Sequence, residues 1–149
     1  MSLKRAVLIV VGDKARARIF DTATEDSSMR EIEDMINVDL GHHEKDLAAD
    51  RPGRGMSSAR GRRTALGEDY SRRRVETSRF AEAVAARVHE HAQAQKYARL
   101  FLVAGPEFTG LLRPCLSSKS AQPPVTSVVK DLTRHSIEDI RKHLPQYLR

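Results

Sequence analysis

The chain has 149 residues, of which 26 are Lys or Arg and 20 are Asp or Glu, so its formal charge is +6. One hydrophobic core serves about 100 to 200 residues, so this length predicts a single domain over residues 1–149 and argues against two. Charged residues make up 31% of the chain, above the roughly 25% typical of globular domains, which predicts a densely ionic surface. The single cysteine, Cys115, cannot form a disulfide within the chain, and this favours a reducing compartment.

The apolar segment near the N-terminus is too short for a signal peptide. Lys4 and Arg5 precede it, but Gly12 and Asp13 interrupt it before it reaches the length of about 7 residues that export requires. Every apolar run also falls far short of the roughly 18 residues of a membrane helix. We therefore expect a cytoplasmic protein with no membrane contact.

Three strands are predicted before residue 39. Ala6–Val11 is a continuous run rich in β-branched residues, which suits a central strand buried on both faces. Gly12 and Asp13 then form a two-residue turn, and Ala15–Phe20 alternates small or apolar with charged residues, so a hairpin is expected. Arg30–Val38 is more polar and is predicted to lie at a sheet edge.

A long loop and a long helix are predicted next. No apolar period holds between Asp39 and about Arg72, whereas most connections in a compact domain have about 4 to 6 residues. So long a loop is either functional or disordered. Apolar residues spaced three and four apart then run from Phe80 to Ala92, which predicts a helix that begins within residues 71–78 and ends near Gln95.

The last part of the chain predicts two strands and two short helices. Leu100–Ala104 is a second continuous apolar strand, and Pro106 then begins a short helix. Val125–Val129 is the last predicted strand.

The C-terminal helix has a recognisable start. Ser136 and Asp139 are spaced as in a capping box. The helix is expected to contain Ile140 and Leu144 and to end at Pro145.

This order of elements predicts an α/β fold. The two wholly apolar strands, the first and the fourth, should be parallel neighbours in the centre of the sheet. A three-stranded antiparallel meander followed by right-handed crossovers gives the strand order 3-2-1-4-5. The expected architecture is a single-domain, mixed five-stranded sheet of ribonuclease H-like topology flanked by helices, with a long basic loop at about residues 39–72.

Four short motifs occur in an order that resembles one bacterial family. They are Asp50–Arg54, Arg79–Ala81, Gly105–Arg113 and Lys130–Thr133. The family is named "protein required for attachment to host cells", and the resemblance covers most of the chain. It looks like a branch of the bacterial release-factor-like proteins, which are related to the middle domain of archaeal and eukaryotic peptide-chain release factors. The resemblance implies the topology given above and a place near the ribosome.

The sequence departs from true release factors at their catalytic loop. In those proteins a Gly-Gly-Gln loop between the strand meander and the long helix enters the peptidyl-transferase centre. The equivalent segment here, Arg51–Arg63, contains no Gln. This departure argues against hydrolysis of peptidyl-tRNA by that mechanism.

The same segment has the composition of a phosphate-binding loop. It contains three glycines, no acid and five arginines, which give it a local charge of +5. Arg presents a planar fork of donors to phosphate, and Gly allows the backbone to approach a polyanion closely. Because the segment lacks aromatic residues, we expect phosphate contacts rather than sequence readout. The alternative is a solvated basic loop. The arginines are Arg51, Arg54, Arg60, Arg62 and Arg63.

Arg72, Arg73 and Arg74 extend this basic surface to the predicted start of the helix. Positive charge near a helix N-terminus interacts unfavourably with the helix dipole, so these arginines are not expected to stabilise the helix and their presence there needs a different explanation. An RNA contact and a solvated helix face are both compatible with these three residues.

No metal or cofactor site is predicted. His42 and His43 lack Cys or a matching His-x3-His spacing. His89 and His91 are two residues apart on a helix, point to different sides and are expected at the surface. Cys115 lacks an evident His and acid partner, so it is predicted to be a core residue.

Carboxylates at the strand ends leave an enzymatic function as an alternative. Two-metal nuclease chemistry requires clustered carboxylates, and neither central strand contains one. Asp13, Glu107 and Asp131 follow the first, fourth and fifth strands, so any cluster has to form at the strand ends. Turn and cap roles explain all three more simply.

We predict a non-catalytic RNA-binding module that acts at the ribosome or on tRNA through the five arginines of the basic loop. One alternative is a metal-dependent nuclease or a degenerate peptidyl-tRNA hydrolase that uses Asp13 and Asp131. The other is a regulatory or interaction protein that is required for attachment only indirectly.

Overall fold

A computed structural model describes residues 5–24, 28–39, 59–118, 122–145 and 148, with the backbone alone for residues 59–70. The elements follow in the order β1 (Val7–Gly12), β2 (Arg16–Thr22), β3 (Arg30–Ile36), α1 (Ala59–Ala94), β4 (Arg99–Ala104), α2 (Pro106–Ser117), β5 (Val125–Val129) and α3 (Ile137–Lys142).

The strands form one mixed sheet in the order β3-β2-β1-β4-β5. β1 and β2 are antiparallel, as are β2 and β3, while β1 and β4 are parallel and Val10 lies opposite Leu102. β5 continues the sheet parallel to β4. The predicted single-domain α/β fold, its strand order and its antiparallel meander are therefore confirmed.

The central strands are apolar throughout because both faces of the sheet are covered. On one face, Leu8 and Leu102 pack with Phe80 and Val84 of α1. On the other face, Ile9 belongs to a second buried cluster, which includes residues of α3. Strand β3 is half exposed and lies at the sheet edge, as its polarity predicts.

Helix α1 begins earlier than the sequence predicts. The expected start lay within residues 71–78, whereas the helix runs from Ala59, and the predicted loop at 39–72 is wrong over its last fourteen residues. Arg occurs four times in residues 59–72 and is a good helix former, but an apolar period is absent, so periodicity did not indicate a helix there. Residues 40–58 lie outside the described part of the chain. At 36 residues, α1 is about 54 Å long.

Helix α3 begins as predicted and ends early. The Ser136 Oγ atom accepts a hydrogen bond from the Asp139 N–H at 3.2 Å, which confirms the cap. The helix stops at Lys142, so Leu144 lies beyond it, but the Leu144 N–H still donates to the Arg141 carbonyl at 3.2 Å. Such a bond tightens the last turn and brings buried Leu144 onto the core.

None of the helices in the described ranges is both long enough and apolar enough to cross a membrane.

Candidate nucleic-acid interface

The five predicted RNA-contacting arginines divide between two parts of the chain. Arg51 and Arg54 lie outside the described residues. Arg60, Arg62 and Arg63 lie on the helical backbone of α1, where their side chains are not described. The basic segment predicted as a loop is thus helical over its second part.

Helix α1 has two halves of different character. Residues 59–79 contain seven Arg against three Asp or Glu. The following residues provide the apolar contacts with the sheet, including Ala81, Val84 and Val88, which are fully buried. The C-terminal half therefore anchors the helix, and the N-terminal half carries the positive charge.

The exposed arginines of the basic half are not neutralised within the described structure. Arg72, Arg74 and Arg79 are exposed, and none of them lies within 4 Å of a described carboxylate. Arginines elsewhere in the described structure do form ion pairs. These are Arg16 with Asp34, Arg18 with Glu31, Arg30 with Asp21, and Arg87 with Glu33.

Arg73 differs from its two neighbours because it is half-buried. Its Nε atom is buried and makes no hydrogen bond with any described residue, and the same holds for Oε2 of Glu76. The Arg73 carbonyl accepts a hydrogen bond from the Thr77 hydroxyl at 2.7 Å. Of the three consecutive arginines, Arg72 and Arg74 are the two available to a partner.

A shallow concavity of about 550 Å³ follows one side of the basic half. Its lining residues recur at intervals of three and four, which places them on a common side of the helix. They are Ser71, Arg74, Val75, Ser78, Arg79 and Glu82. Hydroxyl and guanidinium donors both bind phosphate oxygens, so this side offers several donors to a nucleic-acid backbone.

The carboxylates predicted at the strand ends meet around a second cavity, of about 580 Å³. It lies at the carboxyl ends of β1, β4 and β5, and Asp13, Glu107 and Asp131 all line it, together with Lys14 and Arg134. In the described ranges, no three His, Cys, Asp or Glu side chains are placed to hold one metal ion.

Asp13 has the turn role that was predicted for it. Its Oδ1 atom accepts from the N–H groups of Ala15 and Arg16, both at 2.8 Å. Its Oδ2 atom lies 2.9 Å from the Thr133 hydroxyl, which is also 2.9 Å from Asp131 Oδ1. One hydroxyl hydrogen serves one carboxylate at a time. Thr133 therefore brings Asp13 and Asp131 together without satisfying both.

Arg18 fixes the loop that carries Thr133, a role that no local sequence pattern indicates. Its Nη1 atom donates to the carbonyls of Thr133 at 3.1 Å and His135 at 2.7 Å, and its Nε atom donates to Glu31 at 2.5 Å. The guanidinium also lies 5.0 Å from the centre of the Phe20 ring. Although Arg18 lies in a strand that alternates apolar and charged residues, it is only 9% exposed.

The two histidines of α1 are half-buried rather than on the surface as predicted. His91 Nε2 lies 3.1 Å from Glu33 Oε1, and His89 Nδ1 lies 3.4 Å from Gln122 Nε2, so each contacts a different segment. The neighbouring Arg87 guanidinium, with help from His91, holds the pKa of Glu33 below its usual value. The two histidines are half-buried because each has a polar partner, Glu33 or Gln122, on another segment, and their spacing along the helix does not indicate such partners.

Cys115 lies on α2. Cys115 is half-buried against the core, as predicted, and its thiol donates to the Leu111 carbonyl at 3.4 Å. His42 and His43 lie outside the described residues.

A model of one protein family, described as "Protein required for attachment to host cells", matches residues 8–144 of the chain. The match spans every strand and helix except the first residue of β1. No curated protein matches the chain.

Proposed function

The chain belongs to the family of proteins required for attachment to host cells, and we propose that it is a cytoplasmic, non-catalytic RNA-binding module that acts at the ribosome or on tRNA. The principal contacts in this proposal are Arg51, Arg54, Arg60, Arg62 and Arg63.

The observation that carries the proposal is the uncompensated charge on the basic half of α1. Arg72, Arg74 and Arg79 are exposed without an acidic partner among the described residues, on the helix whose first turns include Arg60 and Arg62. Holding like charges on one helix is unfavourable unless a polyanion neutralises them. RNA provides such a partner, because phosphate contacts supply most of its sequence-independent affinity.

The proposal includes a relationship to the release-factor middle domain and a ribonuclease H-like topology. The strand order 3-2-1-4-5 with an antiparallel meander is the order that this relationship requires. The basic segment, moreover, lies between β3 and the sheet-packed half of α1, where release factors carry their catalytic loop. Because Arg51–Arg63 lacks Gln, the proposal keeps RNA binding and leaves out peptidyl-tRNA hydrolysis.

The proposed molecular role accounts for attachment to host cells as an indirect consequence. A protein that binds RNA or the ribosome changes the synthesis of other proteins, including those that contact a host. The competing possibility, a regulatory protein that acts through protein contacts alone, requires no affinity for RNA.

A metal-dependent nuclease is the second candidate. The approach of Asp13 and Asp131 to the single hydroxyl of Thr133 favours it, because nuclease metal ions bind to paired carboxylates. Asp13 is, however, already engaged by two backbone N–H groups through Oδ1. A degenerate peptidyl-tRNA hydrolase would use the same carboxylates.

Co-sedimentation of the full chain with ribosomes across a salt series, with tRNA binding measured in parallel, tests the proposal. We expect association at low salt that weakens steeply as salt rises, without RNA cleavage in the presence of Mg²⁺ or Mn²⁺. Cleavage that requires the divalent ion would favour the nuclease. An absence of binding to both ribosomes and tRNA would contradict the proposal and favour a role through protein contacts.

A further inference from the structure

The described Phe and Tyr side chains are all inside the protein. Phe20 and Phe101 are fully buried, Phe108 is 4% exposed and Phe80 is 6% exposed. Tyr97 is 8% exposed, and its hydroxyl donates to Asp21 Oδ2 at 2.9 Å. The chain also has no Trp. None of the described Phe and Tyr side chains is therefore exposed, and the exposed imidazole rings of His135 and His143 lie beside α3 and not on α1.

The lack of exposed Phe and Tyr rings among the described residues indicates which form of RNA this surface can bind. Proteins that bind single strands combine a basic groove with aromatic rings on which successive bases stack. Double-helical RNA is instead recognised by its shape, through contacts with phosphates and 2′-hydroxyls. A surface of arginines and hydroxyls without exposed rings suits the second mode.

The donors on the basic half of α1 are also regularly spaced. The dipeptide Ser-Arg occurs twice, as Ser71-Arg72 and Ser78-Arg79. The two copies are seven residues apart, so they lie about two turns and 10.5 Å apart along one side of the helix. A helix with regularly spaced donors matches a regular backbone better than an irregular single strand.

An exposed carboxylate marks the end of this donor surface. Glu82 lies one turn beyond Ser78 and lines the same concavity. Its charge repels phosphate, and beyond it the helix contains Glu90, also exposed. Among the described side chains of α1, the favourable surface therefore ends at Arg79.

We propose that Ser71, Arg72, Arg74, Ser78 and Arg79 bind the phosphate backbone of double-helical RNA. This inference rests on the proposed function and adds to it the form of the RNA and a contact surface on the described part of α1. Arg72 and Arg79 are the exposed arginines of the two Ser-Arg dipeptides, so this pair is the one to remove in a test.

The experiment compares the full chain on a blunt 20-base-pair RNA duplex and on each of its separated strands, by fluorescence anisotropy across a salt series. We expect the duplex to bind at least about tenfold more tightly than either strand. The double variant Arg72→Gln/Arg79→Gln should weaken duplex binding and reduce the slope of log K against log salt by up to about 1.8, since each contact contributes about 0.9. The control, Lys96→Gln/Lys142→Gln, removes the same charge from exposed positions elsewhere and should leave the slope unchanged.

The outcomes separate this inference from the proposed function. Equal or tighter binding of the single strands would overturn the duplex inference but would still support RNA binding. Stacking of bases on the arginine side chains would give that result. An unchanged slope in the Arg72 and Arg79 variant, with circular dichroism matching the parent chain, would overturn the placement of the contact on α1. An absence of binding to every RNA, ribosomes and tRNA included, would overturn the proposed function itself.

Discussion

Arg87 of α1 and Glu33 of β3 form a two-pronged ion pair, in which the Arg87 Nε atom donates to Glu33 Oε2 at 2.7 Å. The pair ties the anchored half of the basic helix to the edge strand of the sheet, and His91 reaches the same carboxylate. The contrast with Arg72 and Arg79 is informative, because the chain neutralises an arginine where the helix meets the sheet and leaves others unneutralised beyond it.

This contact predicts a pH dependence of stability. Arg87 lowers the pKa of Glu33 in the folded state, so the pair stabilises the protein above the ordinary Glu pKa of about 4.3. That contribution is lost as the pH falls from about 4.3 through the lowered pKa. We expect the free energy of unfolding of Glu33→Gln to fall less over this range than that of the parent chain, as measured by urea denaturation at each pH. Parallel curves would contradict the assignment.

Arg18 and Arg16 offer a matched pair on β2, each bound to an acid on β3. Arg18→Met should lower the free energy of unfolding by about 3 kcal/mol, because it leaves Glu31 and two loop carbonyls without a buried donor. Arg16→Met should cost less than about 1 kcal/mol, since both members of its pair are 40% exposed. Chemical denaturation measures both. Equal losses would show that the Arg18 contacts with the Thr133 loop add nothing.

Gly12, at the end of β1, lies against Phe108 of α2. A Cβ atom there would lie 2.9 Å from Phe108 Cε2, so Gly12→Ala should destabilise the protein by about 1 to 3 kcal/mol. A Cβ atom on Gly110, within α2, meets nothing within 4 Å, so Gly110→Ala should stabilise it by up to about 1 kcal/mol. Opposite signs in thermal unfolding would confirm the packing of α2 on β1, and equal signs would contradict it.

Asp13 distinguishes the binding module from the nuclease. Asp13→Ala removes the acceptor of two turn N–H groups and of the Thr133 hydroxyl, and should cost about 1 to 2 kcal/mol of stability. In the binding-module account, the folded variant keeps the affinity of the parent chain for RNA. A divalent-metal-dependent RNA cleavage that disappears in this variant would instead establish the carboxylates as catalytic.

The sequence predicts the sheet well because the decisive signals are local. The unbroken apolar runs around Val10 and Leu102 place β1 and β4 in the centre, and the polarity of β3 places it at an edge. It misses the start of α1 because helix propensity without an apolar face leaves no period to detect.

The contacts at the candidate sites could not be predicted from the sequence, because they join residues that are far apart in the chain. Thr133 and Asp13 are 120 residues apart in the chain, so their hydrogen bond depends on the register of the whole sheet. The burial of Arg18 depends likewise on a distant loop that supplies two carbonyl acceptors. Local composition predicts the basic character of residues 51–63. It does not predict that the last five of these residues belong to α1.

The most direct test of RNA binding is the salt dependence of association when Arg51, Arg54, Arg60, Arg62 and Arg63 are all replaced by Gln. Each phosphate contact contributes about 0.7 to 0.9 to the slope of log K against log salt, so five contacts should reduce the slope by up to roughly four. We expect weaker association with ribosomes or tRNA and a flatter slope, in a variant whose circular dichroism and unfolding midpoint match those of the parent chain. An unchanged slope and affinity in that folded variant would show that these arginines are solvated surface and would contradict the account.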